Sequence, residues 1–153
     1  MNEAIATQSL ILELVTPERQ VLRETVDSVQ IPGSRGELGI LPGHAPLLTE
    51  LGAGQLSYRQ GGEAHTATVM GGFAEVLAGR VIVLAERSER AEEIDLTRAR
   101  AAKERAEKRL FPMPAADVDF ARAQDALRRA LLRVLVAEKA GSPTGPTEKH
   151  GAH

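Results

Sequence analysis

Four arginines in the C-terminal third of the chain have a spacing that could hold a phosphate-rich anion. Arg98 and Arg105 are seven residues apart and Arg129 and Arg133 are four apart, so on helices each pair lies on one face. If the two helices fold back antiparallel, these faces converge. Several converging guanidiniums could hold a triphosphate by bidentate hydrogen bonds.

The same charges also fit a solvent-exposed surface that binds nothing. Ion pairs four residues apart, such as Glu104 with Lys108, stabilise an exposed helix by about a few tenths of a kcal/mol and need no ligand. The acidic residues Glu89 and Asp95 lie close to the arginines in the sequence and suit either interpretation. Spacing alone favours the exposed surface.

A histidine within an apolar run is the second candidate for chemistry. His44 lies in GELGILPGHAPLL, residues 36–48. The other histidines do not fall at metal-ligand spacings, and the sequence contains no enzyme motif, so we expect neither a catalytic residue nor a metal site. The glycines permit tight turns and Pro42 fixes the backbone between them, which indicates a corner connecting strands. The apolar residues of this corner, expected to face the core or a partner, are Leu38, Ile40 and Leu41.

Composition excludes several classes of protein. The chain has no cysteine, which excludes disulfide scaffolds and thiolate-bound metals. A net charge of −2, with one Tyr, three Phe and no Trp, gives no support for nucleic-acid binding. No run of about 18 apolar residues is present, so we expect a soluble protein.

The charge distribution divides the chain near residue 88. Residues 1–88 carry six Lys and Arg against ten Asp and Glu, whereas residues 89–140 carry twelve against ten. We therefore predict one domain over residues 1–88 and a second over residues 89–140. Residues 141–153 have no apolar anchor and are expected to form a disordered tail.

The first domain has the pattern of short strands separated by turn residues. Close spacing without an intervening helical segment predicts an antiparallel β-sandwich or barrel rather than βαβ units. The predicted strands are 10–16, 26–32, two within 54–70 about Gly61–Gly62, and two within 73–86 about Ala78–Gly79.

The second domain switches to a period near 3.6 residues, which predicts an antiparallel α-helical hairpin. The first helix covers residues 94–110 with Asp95 as its N-cap, and Pro112 and Pro114 end it. The second begins at Asp117 or Asp119. The apolar stripes are Ala99, Ala102, Ala106 and Leu110 on the first helix, and Phe120, Ala123, Leu127, Ala130, Val134 and Ala137 on the second.

The alanines of these stripes predict a weakly held hairpin. Burial stabilises by about 25 cal/mol per Å², and an alanine buries far less apolar area than a leucine. We therefore expect residues 89–140 to form a movable element.

Three runs of the sequence resemble one known family. GELGILPGHAPLL, GGFAEV at 71–76 and ERAEEIDLTRARAAKERAEKRL at 89–110 are similar to the epsilon subunit of bacterial F-type ATP synthases, called delta in mitochondria. The resemblance covers about residues 9–139. It implies a flattened β-sandwich of about ten strands followed by a helical hairpin.

The resemblance also implies a non-catalytic role in the central rotor stalk. The sandwich of the family binds the gamma subunit and the ring of c subunits, peripherally at the cytoplasmic face of the bacterial membrane and only through the complex. The loop that holds His44 then belongs to the rotor contact. The implied contact residues are Leu38, Ile40, Leu41, Pro42 and His44.

Family resemblance assigns a regulatory role to the hairpin. In bacterial relatives the hairpin lies folded on the sandwich or extends beside gamma into the ring of alpha and beta subunits, where it blocks ATP hydrolysis. Basic residues of the second helix then face acidic loops of beta. The implied residues are Arg122, Arg128, Arg129 and Arg133.

Some members of the family bind ATP in the folded hairpin through a motif of the form I/L-D-x-x-R-A. Ile94, Asp95, Arg98 and Ala99 match this motif. The resemblance thus implies ATP as a regulatory ligand, with no cofactor required. The implied ligands are Glu89, Asp95, Arg98, Ala99, Arg105, Arg129 and Arg133. Two alternatives are a free-standing ATP-sensing module and a helix-hairpin nucleic-acid binder, the latter supported only by the arginines.

Overall fold

Eight strands and two long helices make up residues 8–141, the part of the chain that the computed structural model describes. The strands are β1 (Leu10–Val15), β2 (Gln20–Val26), β3 (Ser28–Gly33), β4 (Gly36–Ile40), β5 (Leu47–Glu50), β6 (Ala53–Gln60), β7 (Glu63–Leu77) and β8 (Arg80–Arg90). A short 3₁₀ helix (Ala91–Glu93) leads to α1 (Leu96–Leu110) and α2 (Phe120–Gly141). The predicted tail lies outside the described residues, except that Gly141 ends α2.

The strands form because apolar residues alternate with polar ones, so that each strand turns one face inward. In β1, Leu10, Leu12 and Leu14 are buried and the residues between them are partly exposed. Val81 and Val83 of β8 continue the same pattern. The predicted β-sandwich is thus confirmed, with its core between the faces of a single folded sheet.

The strand order is β2-β1-β8-β7-β6-β3-β4, and β5 pairs with β7. Every pairing is antiparallel except that of β1 with β8, which is parallel. The expectation of a purely antiparallel sheet was therefore wrong at this pair. Parallel neighbours need a long connection. Here the chain between β1 and β8 contains the six strands β2 to β7.

A glycine pair lets β7 serve both layers of the sandwich. Up to Met70 this 15-residue strand pairs with β6, and from Phe73 onward it pairs with β5. Gly71 and Gly72 lie between, with φ of 72° and 111°, in the region that side chains disfavour. A Cβ on Gly72 would lie 1.9 Å from the carbonyl oxygen of Leu84, so the bend requires glycine.

Residues 36–48 differ from the predicted corner. Gly36–Ile40 form β4, which pairs with β3, and Leu47–Glu50 form β5. Only the segment between them is a loop. The sequence did not predict these strands because β4 contains two glycines and β5 is only four residues long. The two predicted turns at Gly61–Gly62 and Ala78–Gly79 are present with positive φ. Eight strands are described where the family resemblance implied about ten.

The helices pack as their sequences predict, and α1 begins after its predicted cap, whereas α2 begins at Phe120, one residue after the later of its two predicted starts. The side chain of Asp95 accepts a hydrogen bond of 3.1 Å from the amide of Arg98 and caps α1. The predicted alanine stripes face inward. Their buried members are Ala99, Ala106, Ala123, Ala130 and Ala137. The helices pack against each other as the predicted antiparallel hairpin.

The hairpin lies folded against the sandwich. α2 contacts β6, β7 and the 3₁₀ helix. A small second core joins Ala91 and Ile94 to Ala99, Val134 and Val136. β8 continues to Arg90, two residues beyond the predicted boundary. Within residues 8–141, neither helix is long and apolar enough to span a membrane.

Candidate anion-binding cleft between the sheet and the hairpin

A cleft of about 520 Å³ separates the hairpin from the sheet. β7 and β8 form its floor, and α1 and α2 form its walls. The walls are built mainly from alanine and arginine, so small methyl groups leave the space and long side chains bring charge into it. The cleft residues that carry charge are Arg87, Glu89, Arg105, Arg109, Asp119, Arg122, Arg129 and Arg133.

A second cleft of about 470 Å³ adjoins the first at the beginning of α1. Ala102, Arg105 and Arg133 line both, so the two spaces are neighbours. Asp95 and Arg98 line the second cleft, and the N-cap contact of Asp95 fixes the first turn that carries Arg98. Together the clefts follow most of the length of α1.

One ion pair links the hairpin to the sheet inside the cleft. Arg133 Nη2 donates to Glu89 Oε2 at 3.1 Å, and Arg133 Nε lies 2.8 Å from Oε1. The second approach is close but lacks the alignment of a hydrogen bond, so this buried N–H has no acceptor within residues 8–141. The two side chains are 30% and 34% exposed, so water screens the pair only in part.

The arginines of the hairpin divide by position. Those outside the cleft have carboxylate partners: Arg90 with Glu92, Arg100 with Glu138, and Arg128 with Asp125. In contrast, five arginines that line the two clefts make no ion pair with any residue between 8 and 141. These are Arg98, Arg105, Arg109, Arg122 and Arg129. Such a concentration of unpaired positive charge is the arrangement expected of an anion site.

A further ion pair anchors the segment that enters the hairpin. Both terminal guanidinium nitrogens of Arg19, Nη1 and Nη2, donate to the carboxylate of Glu93, at 2.9 and 2.6 Å. The Arg19 hydrogen bond lowers the pKa of Glu93, and partial burial opposes this effect. The same contact raises the pKa of Arg19. Glu93 therefore stays ionised beside the second cleft.

The clefts bring together six of the seven residues predicted to bind nucleotide. Glu89, Asp95, Arg98, Arg105, Arg129 and Arg133 line them. The seventh, Ala99, is fully buried in the second core and lets α2 approach closely instead. Arg87 and Arg109 line the cleft and were not predicted. Arg109 lies four residues after Arg105, so the helical period alone could have placed it on the same face of α1. The position of Arg87, in contrast, depends on the fold of β7 and β8.

The predicted rotor-contact residues lie at and after the end of β4. Leu41 is 63% exposed, and His44 is exposed with Nδ1 2.7 Å from the carbonyl oxygen of Ala45. Leu38 and Pro42 are partly buried. Ile40, however, is 1% exposed and belongs to the sandwich core, so its side chain presents no surface to a partner.

Of the four arginines predicted to contact beta subunits, three turn into the cleft. Arg122, Arg129 and Arg133 line it, and Arg128 lies outside it with a long contact of 3.9 Å to Asp125. In this folded form the three line the cleft, and Arg133 contacts the sheet through Glu89.

Comparison with known proteins agrees with the sequence resemblance. Residues 9–91 match the family model for the beta-sandwich domain of the ATP synthase delta/epsilon chain, and residues 92–138 match the model for its long alpha-helix domain. The ATP synthase epsilon chain of Nitratidesulfovibrio vulgaris (strain DP4) is 54% identical over 129 residues, which are 84% of this chain and 96% of the relative. The epsilon chain of Syntrophobacter fumaroxidans (strain DSM 10017 / MPOB) is 50% identical over 132 residues, 86% of this chain and 98% of the relative.

Solved structures with the same fold come from rotary ATP synthases. A chain of the Euglena gracilis mitochondrial ATP synthase, solved as OSCP/F1/c-ring, matches with a TM-score of 0.69 and 26% identity, covering 88% of this chain and 82% of its own. A chain of the Tetrahymena thermophila mitochondrial ATP synthase shares the fold, with a TM-score of 0.51 and 15% identity over 89% of this chain and 98% of its own. With both domain models matched in order and relatives at about half identity, the chain belongs to the ATP synthase delta/epsilon chain family.

Proposed function

We propose that this chain is a non-catalytic rotor subunit in the central stalk of a bacterial F-type ATP synthase, and that its hairpin inhibits ATP hydrolysis unless ATP holds it folded. Family membership supports the place in the complex. The observation that carries the nucleotide part is that five of the six hairpin arginines lining the clefts make no ion pair within residues 8–141, the exception being Arg133.

The five unpaired arginines repel one another in the folded hairpin. Four of the five are exposed, so water and salt screen part of this repulsion. A triphosphate neutralises them through charge-assisted hydrogen bonds, which are about twice as strong as neutral ones. An anion between sheet and hairpin therefore stabilises the folded form.

The two acidic residues of the predicted site support the arginines that would hold the phosphates. Glu89 holds Arg133 in place, and Asp95 positions Arg98 through the cap of α1. Both carboxylates are fixed by these contacts in the empty clefts. We therefore assign them the ordering of arginines in preference to binding the adenine amino group.

Inhibition and nucleotide binding compete for two side chains, Arg129 and Arg133. Both line the cleft in the folded form, so they reach acidic loops of beta only after the hairpin leaves the sheet. ATP shifts this equilibrium because it binds the folded form better than the extended one. A high concentration of ATP then relieves inhibition.

The rotor contact is proposed to include an apolar surface on the sandwich. Leu41 extends from the loop after β4, and the exposed face of β5, β7 and β8 adds further large apolar side chains. These are Leu48, Phe73, Leu77 and Leu84. Exposed apolar patches of this kind mark interaction sites. We propose gamma and the c ring as the partners, which would place the chain peripherally at the cytoplasmic face of the membrane.

Calorimetric titration of ATP tests the nucleotide part. Each cleft arginine that binds phosphate contributes about 1.5–3 kcal/mol, so Arg98→Ala and Arg129→Ala should each weaken ATP binding by about 10- to 100-fold. Arg100→Ala is the matched control, because Arg100 lies on α1 outside both clefts and pairs with Glu138. Absence of binding to the wild type, or equal losses in all three variants, would remove ATP from the proposal.

Co-purification tests the rotor part. The chain is expected to associate with gamma and the c ring of the same organism, and Leu48→Glu should weaken that association, since Leu48 is 72% exposed in the isolated chain. A chain that binds ATP but never associates with gamma would instead be the free-standing ATP sensor.

A further inference from the structure

We propose that Arg87, Arg109 and Arg122 form a separate subsite that binds inorganic phosphate in the connector half of the cleft, alongside the nucleotide. This inference deepens the regulation proposed above. It uses the same folded hairpin, but it does not require that ATP binds.

Two of the three arginines lie at the connector, far from Arg98 of the nucleotide motif. Arg109 is the penultimate residue of α1, and Arg122 is in the first turn of α2, so both flank the connector. Arg98 lies eleven residues before Arg109 on α1, which corresponds to about 16 Å along the helix. The connector end of the first cleft is thus well separated from Arg98 in the second.

Arg87 supplies the third charge from the floor. It precedes Glu89 by two residues on β8. Arg87 lines a space with Asp125 and Arg129 of α2, whereas Glu89 pairs with Arg133, so along α2 Arg87 lies on the connector side of that pair. It pairs across the sheet with Met70, immediately before the glycine bend of β7. The sandwich, α1 and α2 therefore each contribute one guanidinium.

The charge of this half of the cleft suits a phosphate dianion. None of the three arginines makes an ion pair within residues 8–141. The lining of the cleft carries six arginines against two carboxylates, Glu89 and Asp119, so positive charge is in excess. Inorganic phosphate near neutral pH carries about −1.5 to −2 charges, and guanidiniums match its oxygens by paired hydrogen bonds. The amino end of α2 adds partial positive charge on the same side.

Phosphate bound here would stabilise the folded hairpin in addition to ATP. It would contact the sandwich and both helices at once, and so bind only the folded form. By mass action it would then favour folding, as ATP does at the other end. The position of the hairpin would respond to phosphate as well as to ATP.

The experiment is an NMR titration of the full chain with inorganic phosphate at constant ionic strength, with sodium chloride as the balancing salt. Backbone amide shifts near residues 109 and 122 report binding. Arg109→Gln and Arg122→Gln should each weaken phosphate binding by about tenfold or more, since each removes a charge-assisted hydrogen bond. Arg100→Gln, on the same helix but outside the clefts, should leave it unchanged.

Two further arms separate this subsite from the nucleotide site. Phosphate should still bind in the presence of saturating ATP, and Arg98→Gln should weaken ATP but not phosphate. Absence of saturable phosphate binding, displacement by ATP, or equal effects of Arg98→Gln and Arg109→Gln on phosphate would overturn the inference. Phosphate binding without ATP binding would refute the nucleotide proposal alone.

Discussion

The ion pair between Glu89 and Arg133 is expected to control how firmly the hairpin stays on the sheet. Replacing Glu89 with Gln removes a carboxylate from a cleft that already has an excess of arginines. Replacing Arg133 with Gln removes one positive charge and leaves Glu89 near the arginines that remain. We therefore expect Glu89→Gln to open the hairpin more than Arg133→Gln does.

The magnitude follows from the burial of the pair. Exposed ion pairs contribute about 0.2–1 kcal/mol, and breaking a buried pair costs about 3–5 kcal/mol. With side chains 34% and 30% exposed, this pair lies between these limits. We estimate a coupling of about 1–2 kcal/mol, which changes the ratio of folded to open hairpin by about 5- to 30-fold.

The natural absence of cysteine makes the assay direct. Cysteines introduced at the exposed residues Ser34 on the sandwich and Ala116 in the connector can carry spin labels, and the distance distribution gives the fraction of open hairpin. A double-mutant cycle of Glu89→Gln and Arg133→Gln, without nucleotide or phosphate, isolates the coupling. Additive effects within about 0.3–0.5 kcal/mol would refute the reasoning, because the pair would then not join hairpin to sheet.

Three other predictions concern the sandwich, its ion pair with the segment that enters the hairpin, and the hairpin itself. Gly72→Ala should destabilise the sandwich by about 3 kcal/mol or more, because its Cβ would clash with a carbonyl oxygen at φ of 111°, whereas Gly39→Ala, with open space around it, should not lower the melting temperature. Because Arg19 lowers the pKa of Glu93, the pair contributes fully to the free energy of unfolding above the ordinary pKa of 4.5, and this contribution falls as pH drops through the lowered pKa. Glu93→Gln should remove this part of the acid dependence of unfolding. Identical dependence of unfolding on pH in the wild type and Glu93→Gln would contradict the prediction. Truncation after Glu93 leaves all eight strands, so the product should still bind gamma while ATP hydrolysis by the assembled synthase rises, and an unchanged rate would leave the hairpin without an inhibitory role.

Local patterns predicted the parts of the fold that depend on neighbours in sequence. The turns at Gly61–Gly62 and Ala78–Gly79 follow from residues that tolerate positive φ, and the start of α1 follows from the capping side chain of Asp95. The alanine stripes identified the inner faces of both helices because their spacing matches the helical period. Most of the candidate nucleotide residues could be placed for the same reason, once the two helices were assumed to be antiparallel.

Long-range pairing could not be predicted in this way. The parallel contact of β1 with β8 joins segments about 70 residues apart, and no local pattern specifies it. The same holds for Arg19, which reaches Glu93 across 74 positions, and for Arg87, whose place in the cleft depends on where the hairpin packs on the sheet. The direction of the Ile40 side chain could not be predicted either, since an apolar residue beside a loop can face a partner or the core.

The central claim is that the folded hairpin is held by an anion and otherwise extends to inhibit. The most direct measurement is the distance between labels at Ser34 and Ala116 in the assembled synthase, with ATP added while hydrolysis is recorded. We predict a long distance and low hydrolysis without ATP, and the short distance of the folded form with rising hydrolysis as ATP is added. A short distance at every ATP concentration, with hydrolysis independent of it, would contradict the account.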